Sequence, residues 1–417
     1  MDHKGVEEIL ASKRILISGG TGFVGSATVR ALAERHPKCA ITVIDRSPPR
    51  PQHALPDGIR CMQVDVTSAP ETSKAFQTVQ PNIVIHTAGI VPGLPDRFGR
   101  RLEKEVWRIN VVGTQNMLDA ATENEAAAFI YTSSCCVVTD DIRSSYANVD
   151  EKWPTSSNSL IYGESKVVPH NCNDNYALEK DELNLTKNQA TAEALVLNAS
   201  SDKMATCALR PSVLCGPGDC QLVPAIHACI AKYETPFVIG TGDNLWDVTH
   251  VSNIADSHVL AVENMVTSRT AAGEAFFIQN NEPIAFRNFC LAIWAHFGHV
   301  PPFEIRIPEG LAYLVGWLCE MATWVTGGTT TLSRGGVQDA CAVRYANGKK
   351  AKEILGYEAR IGIEDAIRLS CEVSQDYEFC PCAASGFGFI MSKKILVTYL
   401  EFQEYAHCIR VKLPAKG

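Results

Sequence analysis

The chain has 417 residues, of which 46% are hydrophobic, and a formal net charge of -8 from 38 basic and 46 acidic side chains. That length and apolar content suffice to bury a large core, which excludes a disordered chain and suits one large domain carrying a smaller, interleaved lobe. The acidic balance, with Arg97, Arg100 and Arg101 as only a local basic cluster, excludes nucleic acid as the expected partner.

The start, Met1 to Glu8, is too polar for a secretory leader, so the working part of the chain is expected to face the cytosol. A strand-like run, Arg14-Ile15-Leu16-Ile17-Ser18, leads into Gly19-Gly20-Thr21-Gly22-Phe23-Val24-Gly25 and then a helical pattern, and Asp45 closes the next apolar strand. Gly19, Gly22 and Gly25 let the backbone turn tightly, approach a pyrophosphate and pack helix on strand, while the helix N-terminus offers its free N–H groups to the anion. Glycines placed between strand and helix, with an acid about 20 residues later, predict a dinucleotide site.

Further apolar runs end at Asp65, Ala88, Ser133 and Arg210, with helical patterns between most of them. This alternation predicts an α/β protein built on a Rossmann-type doubly wound parallel sheet, with a smaller C-terminal lobe. Ligands of such sheets bind beyond the carboxyl ends of the strands, which directs attention to Asp45 and Arg46, Asp65 and Val66, Thr87, Ala88 and Gly89, Ser133 and Ser134, and Arg210 and Pro211. Asp45 is suited to accept from both adenosine ribose hydroxyls, and its charge would repel a 2′-phosphate by up to about 4 kcal/mol at 4 Å. NAD is therefore expected over NADP, although Arg46 could pair with that phosphate. Asp65 and Val66 are expected to flank the adenine; an ordinary strand-end Asp and a core Val are the alternative.

Tyr162-Gly163-Glu164-Ser165-Lys166 places a phenol and an ammonium four residues apart, on one face of a helix. A free tyrosine titrates near 10, but a neighbouring ammonium and an oxidised nicotinamide favour phenolate and bring the group toward the working range of a general base. Ser134 would hold the substrate oxygen while Tyr162 takes its proton and hydride leaves the carbinol carbon. Read in isolation, the Tyr and Lys are equally a surface pair; their position after a Rossmann half and a strand-end Ser favours catalysis. The candidate site comprises Ser134, Tyr162 and Lys166 as catalytic groups, with Gly19, Gly22, Phe23, Val24, Gly25, Asp45, Arg46, Asp65, Val66, Thr87, Ala88, Gly89, Tyr162, Lys166 and Pro211 at the cofactor, and no metal.

These residues, with Asn110-Val111-Val112-Gly113-Thr114-Gln115-Asn116 and Arg210-Pro211, resemble the extended short-chain dehydrogenase/reductases. The stretch Gly240 to His258, with Trp246-Asp247-Val248-Thr249-His250-Val251 at its centre, is similar to the 3β-hydroxysteroid dehydrogenase and sterol-4α-carboxylate 3-dehydrogenase branch. The resemblance runs from about residue 13 to 372. It implies an NAD-binding domain over 13–210, a mainly substrate-binding lobe over 211–372 interleaved with it, and oxidation of a sterol or triterpenoid 3β-hydroxyl. A C4 carboxylate beside that hydroxyl would become a β-keto acid and lose carbon dioxide unaided. A ketoreductase of another bulky substrate is the alternative enzyme. The oligomeric state stays open, a homodimer included.

In that family the lysine is followed at once by an Ala-x-Ala-Glu helix, whereas here residues 167–189 intervene before Ala190-Thr191-Ala192-Glu193. The segment is 23 residues, or 69 nucleotides, and Val167 and Gln189 are compatible with the GT and AG ends of a retained intron. A genuine insertion is the alternative, and a third reading is an NAD-binding protein without turnover. Tyr176 and Lys180 inside the segment repeat the catalytic spacing by chance, since no Ala-x-Ala-Glu follows. Pro169 and the run Asn171 to Asn175 are poor helix material, so the segment is expected to loop out.

Residues 310–325 form the most apolar stretch but fall short of the roughly 20 needed to span a bilayer. An interfacial helix admitting a lipid-like substrate is expected, with a buried lobe helix as the alternative, and the resemblance to sterol enzymes implies the cytoplasmic face of the endoplasmic reticulum, or else the cytoplasm. Asn347 to Tyr357 and a last helix to Glu372 complete the resemblance, leaving 373–417 unassigned. The 16 cysteines lack regular spacing and read as reduced core residues, and Cys380-Pro381-Cys382 lacks the partner pair a zinc site needs.

Overall fold

The computed structural model describes residues 3–140, 144–155, 160–166, 192–326 and 332–376. Its centre is a parallel sheet of seven strands: β1 (Arg14–Ser18), β2 (Ala40–Asp45), β3 (Arg60–Gln63), β4 (Ile83–His86), β5 (Ala128–Thr132), β6 (Ala205–Pro211) and β7 (Glu274–Ile278), in the order β7-β6-β5-β4-β1-β2-β3. The order reverses between β1 and β4, which opens a crevice beyond their carboxyl ends. Strand alternation sorts the two faces. Ile15, Ile17, Ile83, Ile85 and Ile130 meet α1 (Phe23–Arg35) and α5 (Val251–Val266) in one core. Leu16, Val84, Phe129 and Tyr131 point the other way, onto the helix Ala69–Val79, α2 (Gly113–Glu123) and α4 (Ala192–Asn198).

The expected strands differ in detail. β3 ends at Gln63 rather than Asp65, because the chain then turns, with Ser68 donating to the Asp65 carbonyl. β7 was not among the expected strands: Phe276-Phe277-Ile278 is a short apolar run that periodicity alone does not separate from buried helix. It brings a segment from beyond residue 211 into the sheet, pairing in parallel with β6.

A second core, around Phe289, Ile293, Trp294, Val223, Ile226 and Ile367, builds the lobe. Asp247 locks this part onto the strand ends: one carboxylate oxygen accepts from Ser212 Oγ, Thr249 Oγ1 and the Asn280 N–H, at 3.2, 3.2 and 2.7 Å. The lobe carries α6 (Glu309–Thr326), which is seated closely: a Cβ on Gly316 would come within 2.8 Å of the Ser333 backbone. Only Ala312 and Gly316 are buried among residues 309–323, so α6 is not the buried lobe helix held as the alternative. Cys39, Cys207, Cys215 and Cys290 are free, buried thiols. The segment 167–189, with Tyr176 and Lys180, the Cys380 and Cys382 pair and the unassigned tail from 377 on lie outside the described residues.

Candidate active site

The glycine loop leaves β1 with Gly19 at φ +69°, where a Cβ would come within 2.6 Å of the Ala88 backbone nitrogen. Gly25 is equally constrained, since a Cβ there would meet the Gly19 carbonyl and lie 2.7 Å from Thr87 Oγ1. Loop and β4 end thus close on each other, with Thr87 Oγ1 donating to the Ser18 carbonyl at 2.7 Å. Gly22 is the N-cap of α1 and supplies no capping side chain, so the first N–H groups of a 13-residue helix, starting at Phe23 and Val24, face the crevice unsatisfied by a cap. This cradle fits a dinucleotide pyrophosphate.

At the far end, Asp45 closes β2 and its carboxylate accepts from the Thr21 and Ser47 N–H groups at 3.2 and 3.1 Å. A depression of about 330 Å³ adjoins it, lined by Arg46, Asp65, Thr67, Lys104, Glu105, Arg108 and Ile109. Burial raises the Asp65 carboxyl, but bonds from the Thr67 N–H and hydroxyl and the charges of Arg108 and Arg46 bring it below the usual range. The Val66 side chain is buried against Gly113 of α2. A larger depression of about 540 Å³ lies in the lobe between Gly240, Arg306, Glu309 and Cys341, and contains none of the expected site residues.

Between these ends the catalytic candidates converge. Ser134 follows β5, its hydroxyl accepting from the Cys136 N–H at 3.2 Å. Tyr162 and Lys166 lie on α3 (Ile161–Lys166), and both are buried. Burial pushes the Tyr162 phenol up and Cys136 adds to this, while a hydrogen bond with Ser134 pulls it down. The Lys166 ammonium donates to Tyr131 Oη at 2.6 Å and to the Thr132 carbonyl at 3.2 Å, and lies 5.9 Å from the Tyr162 ring centroid. Burial lowers Lys166 to about 7, with Glu193 and Cys136 pulling it back up. Gly89 lies beside Asn110 and Lys166: a Cβ there would sit 3.2 Å from Asn110 Oδ1 and, in ordinary contact, 3.8 Å from Lys166 Nζ. Pro211 ends β6 with its carbonyl accepting from the Cys135 N–H at 2.9 Å, which carries the Ser134 loop.

Residues outside the expected set hold this arrangement. Asn110 bonds both the N–H and the carbonyl of Ile90 and donates to Ser165 Oγ at 3.0 Å, tying the β4 loop to α3. Asp140, fully buried, accepts from the Gly163 N–H at 3.0 Å and faces Arg97 at 3.4 Å and Arg344 at 3.9 Å. Glu193 accepts from Ser133 Oγ at 2.5 Å and pairs with Arg210 at 2.6 Å, so both sides of the 167–191 gap come to the end of β5. Asn110 stood inside a quoted motif and Glu193 inside the Ala-x-Ala-Glu pattern. For Tyr131 and Asp140 no local spacing gave a signal.

A strand–glycine–helix cradle at the reversal of a parallel sheet, beside a Ser, Tyr and Lys, defines a Rossmann-type oxidoreductase. Residues 16–309 match the model of the 3-beta hydroxysteroid dehydrogenase/isomerase family, and the chain belongs to that family. It is 34% identical over 353 residues to the sterol-4-alpha-carboxylate 3-dehydrogenase, decarboxylating, of Schizosaccharomyces pombe, covering 84% of this chain and 94% of the relative. The enzyme of the same name from Saccharomyces cerevisiae is 32% identical over 367 residues, covering 85% and 95%. Among solved structures, the fold is like that of UDP-glucose 4-epimerase from Thermus thermophilus in complex with NAD, at TM-score 0.60, 17% identity and coverage of 87% and 99%. It is also like the Bordetella bronchiseptica enzyme WbmH in complex with NAD+, at TM-score 0.63, 15% identity and coverage of 88% and 99%.

Proposed function

We propose that the chain is an NAD-dependent dehydrogenase that oxidises the 3β-hydroxyl of a sterol or triterpenoid bearing a C4 carboxylate. The observation that carries this reading is the meeting of Ser134, Tyr162 and Lys166 at the β5 end, next to Gly89 and the glycine cradle, in a chain whose relatives are sterol-4-alpha-carboxylate 3-dehydrogenases. Bound NAD would supply the hydride acceptor. The α1 N-terminus and the Gly19–Gly25 loop hold its pyrophosphate, and Asp45 takes the ribose hydroxyls. Ser134 Oγ holds the substrate oxygen, Tyr162 Oη takes its proton, and the Lys166 charge stabilises the phenolate. The β-keto acid product then loses carbon dioxide without a dedicated group.

Asp45 supports NAD over NADP, since a 2′-phosphate would meet its charge. Arg46, Lys104 and Arg108 around the neighbouring depression reduce that discrimination. A carboxylate entering an apolar pocket needs a cation. Arg97 is suited to this, sharing its charge with Asp140 at 3.4 Å: its Nη2 lies 3.8 Å from Cys136 Sγ, two residues from Ser134, and its buried Nε has no hydrogen-bond partner among the described residues.

The exposed face of α6, with Leu311, Leu314, Trp317, Leu318 and Met321, supports peripheral contact with a membrane that stores such substrates, the endoplasmic reticulum in our reading. No described helix is long and apolar enough to cross a membrane.

The decisive assay incubates the protein with NAD and a sterol panel and follows products by mass. We expect NADH and carbon dioxide from 3β-hydroxy-4α-carboxysterols, and at most NADH from sterols without the carboxylate. Tight NAD binding with no turnover of any 3β-hydroxysterol, by the full chain and by a chain without residues 167–189 alike, would refute the reading.

A further inference from the structure

Beneath the catalytic lysine runs a row of buried polar side chains. Ser18, His86 and Tyr131 stand in register on β1, β4 and β5, at the carboxyl ends and on one face of the sheet. All three are buried at 1% exposure or less, as is Thr114 of α2, which covers them. Such groups in a core must be hydrogen-bonded, so the direction of each bond can be worked out by counting protons.

Thr114 Oγ1 has one proton and gives it to the Asn110 carbonyl, four residues back in the helix, at 2.7 Å. It is therefore an acceptor for His86 Nε2, at 3.0 Å. His86 then carries its proton on Nε2, and Nδ1 accepts from Ser18 Oγ at 2.5 Å. Burial and the Lys166 charge push His86 down to about 3, so the ring stays neutral and this tautomer persists. The Tyr131 ring stacks on this neutral imidazole, with the ring centroids 5.7 Å apart. An ammonium has protons but no lone pair, so Tyr131 Oη accepts from Lys166, which donates at 2.6 Å and lies 4.6 Å from the ring centroid.

We propose that Tyr131 is a positioning residue for catalysis: a buried hydrogen-bond acceptor, stacked on His86, that holds Lys166 as an ammonium facing Tyr162. The inference rests on the assignment of Tyr162 and Lys166 to the reaction. Tyr131 is not the base itself, since burial and the nearby Tyr162 and Glu193 push its phenol well above its ordinary value. It also lies in the core beneath the sheet ends, among Phe129, Val84 and Met117.

Other ionisable groups around α3 do not replace it. Glu193 on α4 is bound by Arg210 and Ser133. Cys135, Cys136 and Asp140 lie on the Ser134 side, and Arg97 faces the last two. Glu103, Lys104, Glu105 and Arg108 lie at or near the surface, as do Glu164 and Arg100, which pair with each other.

The test is Tyr131→Phe in the full chain. Phenylalanine fills the same space and leaves Ser18, His86 and Thr114 with their remaining partners, so folding is expected to persist. Lysine labelled at Cε reports the Lys166 titration directly, without turnover. The expected result is a titration midpoint lowered by about one pH unit or more, the loss of a hydrogen bond to a charged group. In parallel, the rising limb of kcat/KM for oxidation should move to higher pH, because a lysine that loses its charge no longer supports the Tyr162 phenolate. Unchanged midpoints accompanied by a fall in kcat or in thermal stability would overturn the proposal. Tyr162→Phe separates the two levels: if it retains turnover the active-site assignment fails, whereas if it is inactive and Tyr131→Phe shifts nothing, only the role of Tyr131 fails.

Discussion

Asp45 shows how far a single residue can be read. Its distance from the glycine loop marks it in sequence as the proposed ribose acceptor, and the fold sets its carboxylate on the Thr21 N–H at the mouth of that loop. Asp45→Ala should raise kcat/KM with NADP relative to NAD by one to two orders of magnitude, a fraction of the roughly 4 kcal/mol upper bound for the charge repulsion. Parallel steady-state assays with both cofactors measure this, and an unchanged ratio would show that Arg46, Lys104 and Arg108 decide the preference instead. Tyr162 and Lys166 were likewise legible, because four residues along a helix is one turn and the chemistry needs no distant partner to be recognised. Tyr131 and Asp140 were not. Each works through a residue at least 23 positions away, and only the folded chain puts an acceptor under Lys166 or a carboxylate against the Gly163 N–H.

Among elements, the active-site helix carries the clearest expectation. α3 ends at Lys166, α4 begins at Ala192, the two pack together, and Lys166 and Glu193 both bond groups at the β5 end. With 167–189 removed, Glu193 follows Lys166 by four residues, so Tyr162, Lys166 and Glu193 would recur at one-turn spacing on a single buried face. The chain lacking 167–189 should therefore fold, gain about 2–3 kcal/mol in urea denaturation from the loop-closure entropy it no longer loses, and turn over at least as fast. Failure to give folded protein would mark the segment as a genuine insertion. Transcripts reading directly from the Lys166 codon to the Ala190 codon would identify it as an intron. α6 offers a second test at this scale. Replacing Trp317 and Leu318 by Glu should weaken flotation with neutral lipid vesicles about tenfold or more while leaving thermal stability unchanged, because both side chains are exposed. Equal flotation of both proteins would remove the membrane contact.

For the whole molecule, buried neutral histidines set the acid limit. His86 is pushed down to about 3 by burial and the Lys166 charge, and His250 and His258 to about 4 by burial. His258 is fixed as the neutral form by geometry as well: Nδ1 donates to the Ile254 carbonyl and Nε2 accepts from Thr132 Oγ1, both at 2.8 Å. All three folded values lie below the unfolded value of 6.5, so their contribution is complete above pH 6.5 and is lost as pH falls toward 4 and below. Between pH 6.5 and 5 each costs about 2 kcal/mol, since the unfolded chain takes up a proton that the folded one refuses. Urea midpoints at pH 7 and 5 should show this fall, and His258→Gln should flatten it by about a third. An equal fall in that variant would exclude His258 as a contributor.

What the sequence determined by itself was whatever physics makes local: the glycine turn, the acid after the second strand, the one-turn Tyr and Lys pair, and the alternation of apolar runs that builds a parallel sheet. What the tertiary structure decided was everything that depends on registering one strand against another. β7 enters the sheet from the lobe side of the chain, Val66 packs its side chain against Gly113, and Ser18, His86 and Tyr131 line up across three strands as a polar row under Lys166. Hydrogen-bond direction within that row follows from which proton each neighbour has already used, and neighbours up to 68 positions apart in the chain meet only once the sheet has formed.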